Sequence, residues 1–500
     1  MFMIKIIKSF VYWICKMEKI EVKKINEYLW EIPKKDEMLV PGRIYGDKPI
    51  INHLLKDIEE GKEWNALQQI KNVACLPGIQ KASLAMADIH PGYGFPIGGI
   101  GAFDLDSGVI AVGGVGFDCN CGVRVLKTPY VRKDIEKIKE KLADILFKII
   151  PAGLGSEGEI KLTMSEIDEL LIKGSEFAIK KGYGTKDDLE FTEDEGKVKN
   201  ANPKDVSNLA KKRELKQIGT LGSGNHYLEV QYVNEIYDEK AAKKFGLFKD
   251  QILIAIHCGS RGLGHQIGTD YLKTLDQASK KYNIPISEKE LVCAPIKSPE
   301  GQAYFSATCC GINCAFANRQ VLTHLTREAF KEADLDNSEI KTFYDIGHNT
   351  AKLEKHDVDK KKKELMVLRK GCTRAFGPDR EEVPEQYRSV GQPVLVGGTM
   401  GTSSYILHGT SKGMQETFGS AIHGAGRSMS RAQATKSWRG SEIINSLKNK
   451  GIIIKGHSLA GVAEESPGAY KNVDEIVNVM HNAGIAMKVV DVKPLISIKG

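Results

Sequence analysis

The chain lacks the signatures by which most nucleotide-binding and metal-dependent enzymes are identified from sequence. It has no G-x-x-x-x-G-K-[ST] phosphate loop, no G-x-G-x-x-G after a predicted strand, no H-E-x-x-H and no zinc-deaminase motif pair. Residues 456–463 have the glycine spacing of a phosphate loop, but Val462 and Ala463 stand where Lys and Ser or Thr are required. These absences exclude the P-loop, dinucleotide-binding, H-E-x-x-H metalloprotease and zinc-deaminase classes.

Long apolar runs are also missing. No segment provides the roughly 20 consecutive apolar residues that a membrane-spanning helix needs. Residues 1–16 are apolar but contain three lysines and lack the cleavage site of a signal peptide. Met17 opens a sequence typical of a normal start, so we expect 1–16 to be an N-terminal extension that arises from an upstream start codon, with Met1, Met3 and Met17 all open as the start. We expect a cytoplasmic protein without membrane association.

Neither the cysteines nor the net charge points to a specialised class. The ten cysteines are irregularly spaced in a chain of 500 residues, unlike a secreted disulfide scaffold. Cys309, Cys310 and Cys314 lie close together without a second ligand pair nearby, so we expect buried thiols in a helix of small residues. The net charge of +7 permits a polyanionic partner without requiring one.

The pattern of apolar residues predicts an α+β fold. Residues 133–149 have the three- and four-residue periodicity of an amphipathic helix, whereas the predicted strands are short and β-branched. There is no regular βα alternation, internal repeat or linker, so we expect a single large domain over 17–500 with mixed or antiparallel sheets surrounded by helices. The charged segment 184–213 is expected to be a partly ordered surface excursion. Other predicted helices are 51–61, 240–245, 323–333 and 473–484, and predicted strands are 108–115, 251–256, 341–346, 393–396, 405–407, 451–455 and 487–493.

Metal-seeking side chains stand beside glycines in four segments, and a fifth sets a lone histidine in a similar turn. Asp, Cys and His are the ligand types of a first-row divalent metal, and glycine lets the backbone approach a ligand closely. One such histidine is commonly a turn or capping residue, but five segments together predict a metal or phosphate site gathered from distant loops. By ligand type alone, thiolate with imidazole would favour zinc. The segments are GFDCNCGVR (116–124), GSGNHYLE (222–229), IAIHCGSRG (254–262), YDIGHN (344–349) and HGAGR (423–427).

Seven motifs, in order and spacing, resemble those of the RtcB RNA-splicing ligases. The resemblance extends from about residue 20 to the end of the chain. It implies an enzyme that joins a 2′,3′-cyclic phosphate or 3′-phosphate RNA end to a 5′-hydroxyl end in tRNA splicing and RNA repair. The implied cofactors are GTP and two Mn²⁺ ions, and the implied intermediates are a guanylylated histidine and RNA(3′)pp(5′)G. The motifs are ADIHPGYGFPIGG (87–99), GGVGFDCNCGVR (113–124), GTLGSGNHYLE (219–229), YDIGHN (344–349), GTMGTSSY (398–405), HGAGRSMSR (423–431) and EESPGAYK (464–471).

The resemblance also implies partners: RNA ends such as tRNA exon halves, and archease as an activating protein for what we expect to be a monomer. It assigns one Mn²⁺ to Asp118, Cys121 and His226 and the other to Cys121, His257 and His348, with the Cys121 thiolate bridging. His423 is the implied nucleophile, oriented by Asp88. The implied GTP contacts are Asn225, Glu229, Asn349, Gly397, Gly398, Thr399, Met400, Ser404, Gly424, Ala425, Gly426, Tyr470 and Lys499, and the implied RNA contacts are Lys212, Arg213, Arg261 and Arg431.

Two positions depart from the family pattern. Cys119 stands where an apolar residue is expected, and we expect it to point into the core. Gly398 stands where a proline is expected, which loosens the loop around it.

Three other functions fit parts of the pattern. A metal-dependent cyclic phosphodiesterase without ligation would need the metal ligands but neither His423 nor Lys499. A non-catalytic RNA-binding protein would bind RNA without metal. A redox enzyme would use the cysteines and show thiol-dependent turnover.

Overall fold

The computed structural model describes residues 20–62 and 64–500, so the predicted extension 1–16 lies outside the described residues. The described residues form 17 strands and 16 α-helices. The strands are β1 (Lys23–Lys24), β2 (Leu29–Ile32), β3 (Gly42–Tyr45), β4 (Ser83–His90), β5 (Ile97–Asp104), β6 (Val109–Ala111), β7 (Gly122–Val131), β8 (Tyr227–Ile236), β9 (Gln251–Cys258), β10 (Cys293–Pro295), β11 (Lys341–Val358), β12 (Lys361–Arg374), β13 (Pro393–Val396), β14 (Ser404–Gly409), β15 (Ser420–Ile422), β16 (Ile453–Gly456) and β17 (Ala486–Lys499).

The helices fill the connections between these strands. They are α1 (Lys48–Glu59), α2 (Ala66–Ala74), α3 (Arg132–Glu136), α4 (Lys139–Ile149), α5 (Met164–Lys173), α6 (Ser175–Lys180), α7 (Asp187–Glu190), α8 (Asn208–Glu214), α9 (Glu239–Phe245), α10 (Arg261–Lys281), α11 (Pro299–Glu332), α12 (Ser411–Thr417), α13 (Arg431–Ser437), α14 (Gly440–Asn449), α15 (Leu459–Glu464) and α16 (Val473–Asn482). Short 3₁₀ turns lie at Val112–Gly114, Glu193–Gly196, Pro203–Asp205, Lys289–Leu291, Glu385–Tyr387 and Pro467–Ala469.

Fifteen strands form one sheet, ordered β1-β2-β3-β4-β5-β12-β11-β7-β9-β8-β17-β14-β13, with β15 beside β12 and β16 beside β17. Strands β6 and β10 form a separate pair. Only β3·β4 and β16·β17 are parallel among the described pairs. This mainly antiparallel sheet with surrounding helices confirms the predicted α+β class.

Strand β11 joins the two halves of the large sheet. Its first half, up to Gly347, pairs with β7, and its second half, from His348 onward, pairs with β12. The register shifts between His348 and Thr350, where the strand passes from one half to the other. His348, a predicted metal ligand, therefore lies at the crossing point, where strands from both halves hold it.

Helix α11 runs through the core and is buried along most of its length. The Ser298 side chain accepts a hydrogen bond from the Gly301 amide and caps the first turn, and Pro299 begins the helix. Small residues let neighbouring elements pack closely on several sides, and the buried side chains of Asn313, Asn318 and Arg319 donate hydrogen bonds to backbone carbonyls of those elements. The predicted burial of Cys309, Cys310 and Cys314 in a small-residue helix is confirmed.

One buried ion-pair network ties α11 to the sheet. The Asp345 carboxylate on β11 accepts from Arg319 Nε at 3.0 Å and from Arg124 Nε at 2.7 Å. Arg319 Nη1 also donates to the carbonyls of Asn120 and Cys258, both at 2.8 Å. Burial opposes ionisation of Asp345, but the two guanidinium groups hold its pKa below the usual value. The network fixes the backbone beside three of the predicted ligands.

Three predictions about local structure were wrong. The strand expected over 108–115 ends at Ala111, where the 3₁₀ turn Val112–Gly114 begins. The helix expected over 133–149 is broken between α3 and α4, because Ile138 closes a tighter turn by donating to the Ile135 carbonyl at 3.0 Å. Ile135 and Leu142 are nevertheless both buried, so the apolar face continues across the break.

The segment 184–213 is not a loose surface excursion. It contains α7, α8 and two 3₁₀ turns, and its charged residues reach buried partners. Asp188 pairs with Arg327 at 2.7 Å and accepts from Thr342 at 2.6 Å, and Glu193 accepts from the Gly347 amide at 3.0 Å. Asp188 and Glu193 therefore anchor the segment to the core.

Among the described residues, no helix combines the length and apolarity needed to cross a bilayer.

The Asp345 network generates a stability prediction. Asp345→Asn should lower the free energy of unfolding by about 3–5 kcal/mol, because it leaves two guanidinium groups buried without a counter-charge. Chemical denaturation followed by circular dichroism measures the change. The matched control is Asp334→Asn, which breaks the exposed pair with Lys141 and should cause no measurable change. Equal stability of the Asp345→Asn and Asp334→Asn proteins would contradict the assignment.

Candidate active site and metal centre

Four of the predicted metal ligands lie at the same end of four adjacent strands. Cys121 directly precedes β7, His226 directly precedes β8, and His257 lies near the end of β9. Because β9 pairs antiparallel with both β7 and β8, the end of β9 meets the beginnings of its two neighbours. His348 joins them from the crossing point of β11, where the preceding Gly347 pairs with Gly122. Strand register alone thus brings together residues more than 200 positions apart.

The ligand atoms form two groups that share one sulfur. The groups are Cys121, His257 and His348, and Asp118, Cys121 and His226, with the ligand atoms of each group within 4.8 Å of one another. Cys121 Sγ lies 3.3 Å from His226 Nε2 and 3.2 Å from His257 Nε2. Asp118 reaches the second group because the Cys121 amide donates to the Asp118 carbonyl at 3.1 Å and closes a tight turn.

Hydrogen bonds to backbone carbonyls orient two of the imidazoles. Nδ1 of His226 lies 2.9 Å from the Leu221 carbonyl, and Nδ1 of His257 lies 3.1 Å from the Asn225 carbonyl. A carbonyl only accepts, so Nδ1 carries the hydrogen and Nε2 is left with a lone pair aimed at Cys121. This is the tautomer of a metal-ligating histidine.

The Cys121 thiol is buried among the imidazoles. Burial raises the pKa of its thiol to about 12, so an adjacent cation is needed to keep the sulfur ionised. A coordinated divalent ion has this effect. The donor set of one carboxylate, one thiol and three imidazoles therefore fits a divalent metal centre.

The two additional cysteines near the centre are not part of either ligand group. Cys119 packs in the hydrophobic core, as predicted, and burial raises the pKa of its thiol to about 12. Cys258 is buried, and its thiol donates to the carbonyls of Thr220 and Leu221 at 3.2 and 3.1 Å. Asn318 Nδ2 donates to the same sulfur at 3.0 Å.

His423 lies beside the metal-ligand groups. It follows β15, which pairs with the end of β12, and its ring centroid is 4.6 Å from that of His348. Its Nδ1 lies 2.7 Å from Oδ2 of the fully buried Asp88, and its backbone amide donates to the same oxygen at 3.2 Å. A carboxylate on Nδ1 leaves Nε2 as the nitrogen available for reaction.

A cleft opens in front of His423 and contains most of the predicted nucleotide contacts. Glycine backbone lines one side, where the loop after β13 lies parallel to the segment after His423, with Gly397 bridged to Gly424. Lys499 forms the last residue of β17 and is held between Tyr227 on β8 and Gly456 on β16. The predicted residues that line the cleft are Asn225, Glu229, Gly397, Gly398, Thr399, Met400, His423, Gly424, Ala425, Gly426, Arg431, Tyr470 and Lys499.

Five predicted contacts lie outside this lining. Ser404 is buried behind the loop and accepts from the Gly398 amide at 3.0 Å. Asn349 bridges backbone, donating to the Asp118 carbonyl at 3.1 Å and accepting from the Gly371 amide at 2.8 Å. The other three, Lys212, Arg213 and Arg261, lie on α8 and at the start of α10.

The glycine at position 398 has a structural reason. A Cβ added there would approach the Ser403 carbonyl oxygen to 2.0 Å. The Gly398 amide also donates to Ser404, a bond that proline could not make. The loop of this chain is therefore built around the residue that departs from the family pattern.

Sequence reasoning missed several residues of the cleft. Arg427 donates to Glu465 at 3.1 Å and to the Tyr470 hydroxyl at 3.2 Å, which positions the Tyr470 ring. His90 also lines the cleft, and burial lowers the pKa of its imidazole to about 3, so it is neutral. Both residues lie inside motifs that resemble the family, and this position could have identified them. The other missed lining residues are Ile97, Val123, Tyr227 and Glu465.

Comparison with known proteins identifies similar chains along nearly the whole length. A sequence model for the family described as tRNA-splicing ligase RtcB matches residues 69–500. A protein named tRNA-splicing ligase RtcB from Methanococcus maripaludis is 50% identical over 488 residues, which cover 96% of this chain and 100% of the relative. Proteins of the same name from Thermococcus kodakarensis and Pyrobaculum aerophilum are 49% and 44% identical, with coverage of 97% of this chain and 100% of each relative.

The shared sulfur generates a prediction about metal content. The protein should bind about two Mn²⁺ ions per chain, and Cys121→Ala should lose both because each group depends on the thiolate, whereas His348→Ala should retain about one. Elemental analysis after dialysis measures the stoichiometry. Cys75→Ala, at a half-buried cysteine outside the ligand groups, is the matched control and should retain both ions. Full metal content in the Cys121→Ala protein would show that the sulfur is not a bridging ligand.

Proposed function

Because the chain belongs to the RtcB family, we propose that it is an RNA ligase that joins 2′,3′-cyclic phosphate or 3′-phosphate ends to 5′-hydroxyl ends. In this proposal the enzyme uses GTP and Mn²⁺ and acts in tRNA splicing and RNA repair. The observation that carries the proposal is the placement of His423. Its ring is hydrogen-bonded to buried Asp88, lines a glycine-rich cleft and lies against the metal-ligand groups.

His423 has the arrangement of a nucleophile toward phosphorus. Its Nε2 lone pair attacks the α-phosphate of GTP, forming an N–P bond while the bond from the α-phosphorus to the bridging oxygen breaks and pyrophosphate leaves. The imidazole becomes positively charged in this step, and the Asp88 carboxylate at 2.7 Å stabilises that charge. Asp88 is held in place because its Oδ2 also accepts from the His423 amide.

The following steps transfer the guanylyl group to RNA. Water first opens a cyclic phosphate to a 3′-phosphate. An oxygen of the 3′-phosphate then attacks the guanylyl phosphorus, and the bond to His423 breaks, giving RNA(3′)pp(5′)G. The 5′-hydroxyl oxygen of the second RNA attacks the RNA phosphorus, and GMP leaves as the new phosphodiester forms. Mn²⁺ ions held by Asp118, Cys121, His226, His257 and His348 would supply Lewis-acid stabilisation of the phosphate oxygens.

Guanine recognition is proposed at the far end of the cleft. Glu229 and Lys499 lie on the adjacent strands β8 and β17, where buried polar groups can pair with the edge of a base. Tyr470, held by Arg427 and Glu465, offers its ring face for stacking. The amides of residues 397–400 and 424–426 are proposed to contact the phosphates and ribose together with Asn225, because glycine backbone lets a phosphate approach closely.

The remaining parts of the proposal concern RNA and the cellular context. Lys212, Arg213, Arg261 and Arg431 are proposed to bind RNA phosphates, with Asn349 and Ser404 supporting the site from behind. We propose that residues 17–500 act as one ligase domain, in agreement with a sheet that is continuous from β1 to β17. The enzyme is proposed to work in the cytoplasm as a monomer, with archease as its activator.

Covalent labelling tests the nucleophile. Incubation with [α-³²P]GTP and Mn²⁺ should label the protein, His423→Ala should abolish the label, and Asp88→Asn should slow labelling by roughly 10²–10⁴-fold because the imidazolium loses its counter-charge. The control is His53→Ala, at an exposed histidine on α1, which should label normally.

The alternative cyclic phosphodiesterase gives a different result in the same assay. It would hydrolyse a 2′,3′-cyclic phosphate without any covalent label and without joining RNA. Cyclic-phosphate hydrolysis by an unlabelled wild-type protein would therefore overturn the ligase proposal.

Nucleotide selectivity tests the guanine site. Glu229→Ala should reduce the preference for GTP over ATP in the labelling reaction by at least about tenfold, because a buried group that pairs with the guanine edge is lost. Competition between the two labelled nucleotides measures the preference. Glu235→Ala, at an exposed glutamate on the same strand, is the control and should leave it unchanged. An unaltered preference in the Glu229→Ala protein would show that Glu229 does not recognise guanine.

A further inference from the structure

Two exposed aromatic rings touch each other beside the cleft. Trp64 and Tyr93 are 41% and 50% exposed, with ring centroids 5.0 Å apart and planes at 88°. Tyr93 also meets Phe117 at 5.7 Å, and Phe117 meets His265 at 5.3 Å. We call these four side chains the aromatic row. In the part of the chain that the structure describes, no other pair of contacting aromatic rings is exposed on both sides.

The middle of the aromatic row is adjacent in the chain to one of the metal-ligand groups. Phe117 directly precedes Asp118, a member of one group. Tyr93 lies three residues after His90, which lines the cleft. Trp64, the outermost ring, contacts Tyr93 from the segment before α2. The segments that carry the rings are thus continuous with those that supply the metal-ligand groups and the cleft lining.

The loop that carries Tyr93 is fixed in position. The Gly92 amide donates to Gln69 Oε1 at 2.9 Å, and buried Lys370 donates to the Tyr93 carbonyl at 2.7 Å. The Lys370 ammonium group also lies 5.9 Å from the Tyr93 ring centroid. An exposed ring on a loop anchored from several sides is preorganised for contact, because little ordering remains when a ligand binds.

Arginine side chains lie near the His265 end of the aromatic row. Arg261 begins α10, and His265 lies one turn later on the same helix. Exposed Arg213 on α8 donates to Gln266, the neighbour of His265, at 2.8 Å. The Glu288 carboxylate holds the Tyr93 loop by accepting from the Gly94 amide at 3.2 Å and from Gln69 at 3.1 Å. Rings next to exposed cations match the bases and phosphates of single-stranded RNA.

We propose that the aromatic row is a stacking platform for unpaired RNA bases adjacent to the ends that are joined. The inference rests on the proposed function and extends it by assigning where the bases lie. Trp64 and Tyr93 provide the open ring faces, whereas half-buried Phe117 supports Tyr93 from the inside. Because every base has an aromatic face, this contact is tolerant of sequence and suits an enzyme that recognises RNA ends.

Binding of short single-stranded RNA tests the proposal. The full-length protein with Mn²⁺ is titrated into RNA that carries a 3′-phosphate or a 5′-hydroxyl and a fluorescent label at the other end. Trp64→Ala and Tyr93→Ala should each weaken the binding of at least one RNA by roughly tenfold, and Trp64→Phe and Tyr93→Phe should stay within about twofold of the wild type. The matched control is Phe248→Ala, at a 43% exposed ring beyond the far end of β9 from His257, which should bind as the wild type does.

A double-mutant cycle separates stacking from a structural effect. The same RNAs are made with abasic nucleotides near the end. The wild-type protein should bind the abasic RNA roughly tenfold more weakly than intact RNA, and the alanine variants should show little further loss on it. The dependence of affinity on salt should be the same in the wild-type and alanine proteins, because the phosphate contacts are unchanged.

Two results would overturn the inference. Equal loss of affinity for intact and abasic RNA in the alanine variants would show that the rings only maintain local structure. A change in sedimentation between the wild-type and Trp64→Ala proteins, with RNA affinity unaltered, would show that the rings cover a second copy of the chain. Labelling of the wild-type protein by GTP, measured without RNA, tests the proposed function independently of both results.

Discussion

The Asp345 carboxylate holds together the elements that carry the site. It accepts from Arg124 on β7 and Arg319 on α11, and Arg319 extends to two carbonyls beside the ligand-bearing segments. Three charged groups that are buried away from water are stable only when each one is paired with an opposite charge and hydrogen-bonded. The strands that supply Cys121, His257 and His348 are thus fixed relative to one helix. The positions of the ligands follow from a constraint in the core, below the surface of the cleft.

The strand register determines which side chains meet at the site. Antiparallel neighbours bring the end of one strand beside the beginning of the next, so side chains from β7, β8, β9 and β11 converge at one edge of the sheet. His423 and Asp88 arrive from the other half of the sheet. The crossing strand β11 is shared by both halves, which explains how the metal-ligand groups and His423 lie side by side. Rigid strand ends hold reacting groups more accurately than free loops would.

The apolar pattern predicted the fold class, local signals predicted the metal-ligand segments, and the family resemblance supplied most of the other cleft residues. Histidine, cysteine and aspartate beside glycines at strand ends indicate a site whatever the order of the strands. Asn349 was harder to place, since its side chain bonds to the backbone of Asp118 and Gly371, which only the folded chain brings near. The segment 184–213 was misjudged because its composition suggested solvent exposure. The partner of Asp188, Arg327, is 139 residues away in the sequence.

The carboxyl end of the chain is built into the site. Lys499 is the last residue of β17, paired on both sides, and Gly500 packs against Gly222, whose carbonyl oxygen a Cβ at position 500 would overlap. Peptide fused behind Gly500 would have to emerge from this crowded contact and would pull on the lysine proposed to contact guanine. Affinity tags, fluorescent fusions and surface tethers attached behind Gly500 would therefore displace Lys499 from the cleft without touching His423 or the metal-ligand groups.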